Sequence, residues 1–243
     1  MLKTTLKSLL LATMLAAPVT AALAQDITLR ATATSNDQDE DYDGLVVFKN
    51  FVENASNGAI AVELFIGTQL CSKGDECLAG VADGSIDIFV STSGGAAGLF
   101  PYIQVLDLPY LMSDDRVAEH VLSSDFVREL RALMLADSDN LIRLMTVGNT
   151  GGWRSYANTQ RRIETPADLA GLRMRTVPAD LPQTLATALG AAPTPIAWPE
   201  LFTSLQTGVV EGTANGITDI MNMRFTDAGL KYLTLDNHSY MGA

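Results

Sequence analysis

The sequence has 243 residues, with 28 acidic against 16 basic side chains and a formal net charge of −12. That balance argues against nucleic acid as a partner, because a polyphosphate selects basic surfaces. Two cysteines and two histidines offer little for a local metal motif, and 47% hydrophobic content is ordinary for a globular chain.

Residues 1–24 carry Lys3 and Lys7, then an apolar run from Leu9 to Ala22, and end in Ala22, Leu23 and Ala24 ahead of Gln25. This is the pattern of a secretory signal peptide, with an apolar core too short for a spanning helix. No cysteine follows the cleavage point to take a lipid. Export implies a soluble protein in the periplasm, and cleavage makes it still more acidic. The remaining chain of roughly 220 residues suits two lobes with separate cores. The reading divides it into residues 25–150 as lobe 1, 151–236 as lobe 2 and 237–243 as the start of a crossover back.

ITLRATAT at 27–34 alternates as a strand does, and a helix is expected from Tyr42 to about Asn54, with Leu45, Phe48 and Val52 on one face. Five acidic residues, Asp37, Asp39, Glu40, Asp41 and Asp43, crowd the junction. A helix N-terminus favours such charge by itself. Asp37 and Asp41 are nonetheless kept as candidates to receive an ammonium, hydroxyls or a cation. AVELFI at 61–66 is a second strand. The CSKGDEC stretch that follows holds Cys71 and Cys77. In an oxidising compartment they are expected to form a small disulfide loop that pins a turn; two buried thiols are the alternative, and a metal site is poorer still. A helix runs through Val81 and a third strand covers 86–92. The glycine-rich STSGGAAGLFP at 91–101 allows either backbone contact with a ligand near Ser91 to Ser93, with Ser93 as the candidate, or a plain connection. It has neither GxGxxG nor a GK[ST] ending, so it is no phosphate loop.

Helical pattern returns from Ser113 to Leu135 with a break at Ser123 to Asp125, and LIRLMTVG at 141–148 reads as another strand. Gly151 and Gly152 mark a place for the chain to cross between lobes. Trp153, Arg154 and Tyr156 then alternate on a strand, the two aromatics reading as core or hinge packing. Thr165, Pro166 and Asp168 begin a short capped turn that Gly171 stops. Leu172 and Met174 alternate with Arg173 and Arg175, the period of a strand with one apolar and one cationic face. Helices are expected from Asp180 to Leu189, with Leu181, Leu185 and Leu189 as the buried stripe, and from Pro199 to Thr207. Short apolar strands joined by helices make the fold class α/β.

TPADLAGLRMRT at 165–176, PTPIAW at 193–198, PELFTSLQTGVVEG at 199–212 and VLDLPYLM at 105–112 stand in an order and at a spacing that resemble the DctP family. These are the substrate-binding proteins of tripartite ATP-independent periplasmic (TRAP) transporters. The resemblance implies a two-lobed periplasmic-binding-protein fold of type II with a hinged cleft, and no catalysis. It implies that Arg175 grips a ligand carboxylate, that Arg154 assists, that Asn215 bonds the same carboxylate and that Trp198 forms an aromatic wall. Implied partners are a small organic acid and the small and large membrane subunits of a TRAP transporter, with the binding protein acting as a monomer and without cofactor or metal. Family members run well past KYLTLDNHSYMG, so the sequence is expected to be a fragment or a truncated product.

Two readings of other classes stand beside this one. A ligand sensor would present the same closed form to a membrane receptor. A periplasmic hydrolase finds little support, because His120 and His238 are far apart and no GxSxG elbow is present.

Overall fold

A computed structural model describes residues 26–242. The segment read as a signal peptide lies outside the described residues. Strand β1 (Ile27–Ala33) is followed by α1 (Glu40–Ala55), β2 (Ile60–Ile66), α2 (Gly74–Asp83) and β3 (Ile88–Val90). β2 and β3 pair in parallel on either side of β1, giving a sheet of order β2-β1-β3. Parallel neighbours need crossover helices, and α1 and α2 supply them. Leu45 on α1 packs with Ala31, Ala33 and Val62 beneath it. The expected stripe is only part right: Leu45 is buried, whereas Phe48 lies at the rim, 36% exposed.

The glycine-rich stretch forms a one-turn helix, α3 (Ser93–Ala96), capped by Thr92, whose hydroxyl accepts the Gly95 N–H at 3.1 Å. A 3-10 turn (Pro101–Asp107) leads to α4 (Asp115–Leu122) and α5 (Asp125–Asp137). The expected break between these two helices is present because Ser124 caps the second one. Phe100, Leu106, Ala118, Leu130 and Ile142 close a core that also receives Tyr240 and Trp153.

Residues 141–148 depart from expectation. Alternation holds from Leu141 to Met145, with Ile142 buried, but breaks where Val147 is buried on the opposite parity, and the segment belongs to no strand. Period alone does not make a strand, since a ladder partner must lie alongside.

The second sheet has the order β6-β5-β7-β4-β8 and is mixed. Its strands are β4 (Asn149–Asn158), β5 (Arg173–Thr176), β6 (Ala192–Pro195), β7 (Gly212–Asn215) and β8 (Tyr232–Gly242), with α6 (Asp180–Ala188), α7 (Leu201–Gln206) and α8 (Ile217–Asn222) between them. β5 is parallel to β6 and β7, whereas β4 is antiparallel to β7 and β8. Leu201, Leu205, Val210 and Phe225 form one core, and Leu169, Leu172, Met174 and Ala186 another. On α6 the buried residue is Ala186; Leu181 and Leu185 line a cavity instead of a core.

β4 and β8 link the two halves. Their register breaks between the pairs Arg154/Ser239 and Tyr156/Thr234, where Asn237 sits at φ 48°. Gly151 and Gly152 take φ of 70° and 75°, a region a side chain disfavours. A β-carbon on Gly151 would also stand 2.7 Å from the Asp219 carboxylate, so this glycine lets α8 come close to β4.

Candidate binding cleft

The two sheets face each other across a cleft of about 860 Å³, counted with its open mouth. Residues after β1, the disulfide loop and the end of β3 form one side; β4, the end of β5, Trp198, Asn215 and Asp219 form the other.

Arg175 lies at the end of β5 and is 5% exposed. The alternation read in the sequence separates two unlike arginines. Arg173, on the exposed side, donates to the Gly208 and Val209 carbonyls and pairs with Glu211 at 3.2 Å. Arg175 donates its Nε–H to the Ile196 carbonyl at 2.9 Å and stands 5.7 Å from the centre of the Trp198 ring. Arg154 donates from Nη1 to the Ala214 carbonyl at 2.9 Å. Among the described residues, neither Arg154 nor Arg175 forms a salt bridge. Burial, and then the charge of Arg154, hold the Arg175 guanidinium down to about 9. Two cations thus share the cleft, fixed by backbone carbonyls and lacking a carboxylate partner.

Opposite charge gathers in the same cleft without touching them. Asp39 caps α1 and accepts the Asp41 N–H at 3.1 Å. Asp41 accepts the Thr150 hydroxyl at 2.9 Å, and Asp219, on α8, accepts the Asn215 amide at 3.0 Å. Burial first and Asp41 second push Asp39 up to about 7; burial pushes Asp41 to about 6 against the Thr150 hydrogen bond. Asp219 is raised by burial as well, with Asn215 and Arg154 opposing.

Of the residues expected from the sequence, Arg175, Arg154, Asn215, Trp198 and Asp41 come together in the cleft. Asn215 is already engaged: its Oδ1 accepts the Thr213 hydroxyl at 2.6 Å while its amide reaches Asp219. Asp37 does not join them. It is exposed and only accepts from Gln38 at 3.2 Å, because the helix turns inward at the cap two residues later. Ser93 does not line the cleft either. Its hydroxyl donates to Asp107 at 2.7 Å, leaving Ser91, Thr92 and Gly95 of the glycine-rich stretch at the wall. Cys71 and Cys77 are joined in a disulfide, and Ser72 to Asp75 of the loop they close form part of the rim. Asp39, one of the five clustered acids but not one of the two candidates among them, and Asp219 also line the cleft. The cap position was a usable signal for Asp39; none in the sequence marked Asp219.

Arg154 and Arg175 also border a second chamber of about 560 Å³, beside α6. Asp107 and the stacked pair Tyr156 and His238, 4.5 Å apart, lie there. His238 Nδ1 is bonded to Asp236 at 2.7 Å.

The family model for bacterial extracellular solute-binding proteins, family 7 (DctP), matches residues 31–243. The chain belongs to this family. It is 28% identical over 193 residues to the 2,3-diketo-L-gulonate-binding periplasmic protein YiaO of Escherichia coli (strain K12), which covers 79% of this chain and 57% of that one. It is likewise 28% identical over 208 residues to the C4-dicarboxylate-binding periplasmic protein DctP of Rhodobacter capsulatus, covering 82% and 58%. Among solved structures, a TRAP periplasmic solute-binding protein from Polaromonas sp. JS666 bound to D-erythronate aligns with a TM-score of 0.82 at 27% identity, over 89% of this chain and 69% of that one. The sugar acid binding protein DctPAm from Advenella mimigardefordensis, in complex with galactonate, aligns at 0.81 and 25% identity, over 88% and 67%. This DctP-family chain has the two-lobed periplasmic-binding-protein fold, and the family consists of solute-binding transport proteins, not enzymes. It spans under three fifths of the length of these two curated relatives.

Proposed function

We propose that this chain captures a small organic acid in the periplasm and delivers it, as a monomer, to the small and large membrane subunits of a TRAP transporter. The supporting observation is the buried Arg175 guanidinium, whose outer N–H groups have no protein acceptor among the described residues. Such a fork fits a carboxylate with two parallel bonds. In this reading Arg154 adds a second cation, Trp198 walls the guanidinium, Asn215 orients the acid, and hinge movement between lobes 25–150 and 151–236 closes the cleft. The Cys71–Cys77 pairing agrees with an oxidising compartment. Relatives described as binding 2,3-diketo-L-gulonate, C4-dicarboxylates, D-erythronate and galactonate support an acid as the cargo.

A thermal-shift screen of the purified chain against sugar acids, keto acids, dicarboxylates and amino acid derivatives tests this. A ligand that binds only the native state raises the melting temperature by mass action. The expected result is at least one acid whose shift vanishes in Arg175→Ala; a shift that survives that substitution contradicts the clamp.

A further inference from the structure

The cleft brings two arginines and three acidic side chains together without pairing them, although Asp219 feels the charge of Arg154 and Arg175. Arg154 and Arg175 are tied to the Ala214 and Ile196 carbonyls. Asp39, Asp41 and Asp219 arrive from α1 and α8, and among the described residues none of the three forms a salt bridge. Asp39 and Asp219 are 6% and 4% exposed, and Arg175, equally buried, lines the same cavity.

Buried carboxylates this close together raise one another's proton affinity, and burial adds to it. Hydroxyl groups of a ligand would hydrogen-bond them in either protonation state but bring no opposite charge, whereas a cationic nitrogen favours their ionised form. A second ligand carboxylate would add to the repulsion. A bare metal ion is disfavoured, since no group of three or more acidic, cysteine or histidine side chains among the described residues converges in a way that could hold one. Lys73 lines the cavity mouth but is an exposed side chain and pairs with none of the three.

We infer that the cargo is a small zwitterion, with its carboxylate on Arg154 and Arg175 and a cationic nitrogen against Asp39, Asp41 and Asp219. This rests on the acid-binding reading above and narrows it. One ligand then sets opposite charge against both ends, which no dicarboxylate or neutral-tailed acid can do. Charge opposite charge attracts more strongly in the desolvated cleft than in water, and like charge there is rejected.

The test is calorimetric titration of the wild-type chain with a panel of α-, β- and γ-amino acids and betaines, each matched to its N-acetylated or des-amino acid and to a dicarboxylate of equal length. The best zwitterion is expected to bind at least tenfold tighter than its neutral match and at least a hundredfold tighter than the dicarboxylate. Asp39→Asn, which keeps the helix cap while removing the charge, and Asp41→Asn should each shrink that preference by tenfold or more. Arg175→Ala should abolish binding of every member. Tightest binding by a dicarboxylate or a hydroxy acid, still lost in Arg175→Ala, overturns the zwitterion and leaves the acid clamp standing. Binding that survives Arg175→Ala, or no binding by any acid, overturns both.

Discussion

The cationic and acidic ends of the cleft are built in different ways. Arg154 and Arg175 sit on neighbouring parts of one sheet, and each is anchored by one backbone carbonyl at 2.9 Å. The acidic end is assembled from a helix cap, a first-turn residue and a helix from the other half of the chain, held by Thr150 and Asn215. The difference teaches how opposite charges can share a cleft without pairing. Each is tethered to a neutral group, Arg154, Arg175 and Asp219 within the second half and Asp41 across to Thr150 on β4, so that none is drawn into a salt bridge among the described residues.

The largest break in this comparison comes from the cationic end. Arg175→Ala should weaken acid binding by about 2 to 5 kcal/mol, much of it from losing a buried cation of the cleft, as titration calorimetry would read directly. Arg175→Lys sharpens the point, because a point charge without the planar fork should recover only part of that loss.

A second effect concerns the rim that both ends share. Replacing Cys71 and Cys77 by serine removes the loop closure and should lower unfolding stability by about 2 kcal/mol in chemical denaturation, on the chain-entropy account.

Below neutral pH the acidic end is the part of the cleft that responds. Asp39 and Asp41, raised from 3.8 to about 7 and about 6, hold protons in the folded state that the unfolded chain has released. Their contribution therefore makes the unliganded fold less stable as pH rises from about 4 to about 7, with no further change above that. Asp87 and Asp168 act in the opposite direction at lower pH, since the bonds from Arg30 and from the Thr165 and Glu164 amides hold them below the usual range. Denaturation midpoints at pH 5 and pH 8 should differ less in Asp39→Asn/Asp41→Asn than in the wild type. The smallest effect is expected from Thr150→Val, which strips Asp41 of its hydroxyl donor and should cost about 1 kcal/mol in stability above pH 7.

The same contrast explains what was legible in the sequence. Arg175 could be read because its signals are local: a capped turn, a glycine stop and a two-residue period. The helices flanking Ser123 and Ser124 and the strand at 27–33 were legible for the same reason. Asp219 was not, because only the close approach of α8 to Gly151 brings it to the cleft. Asp37 was misjudged by two positions: the cap geometry of Asp39, at φ −102° and ψ 146°, decides which acidic side chain turns inward. Ser93 was drawn from the cleft by Asp107, and residues 141–148 found no ladder partner, both being matters of distant partners.

The most direct test of the carboxylate clamp is a crystal structure of this chain with a bound acid identified by the thermal screen. The account predicts the ligand carboxylate within hydrogen-bonding distance of both Arg175 Nη atoms, with Arg154 beside it. A carboxylate bound elsewhere in the cleft, with the Arg175 Nη atoms still lacking an anion, would contradict it.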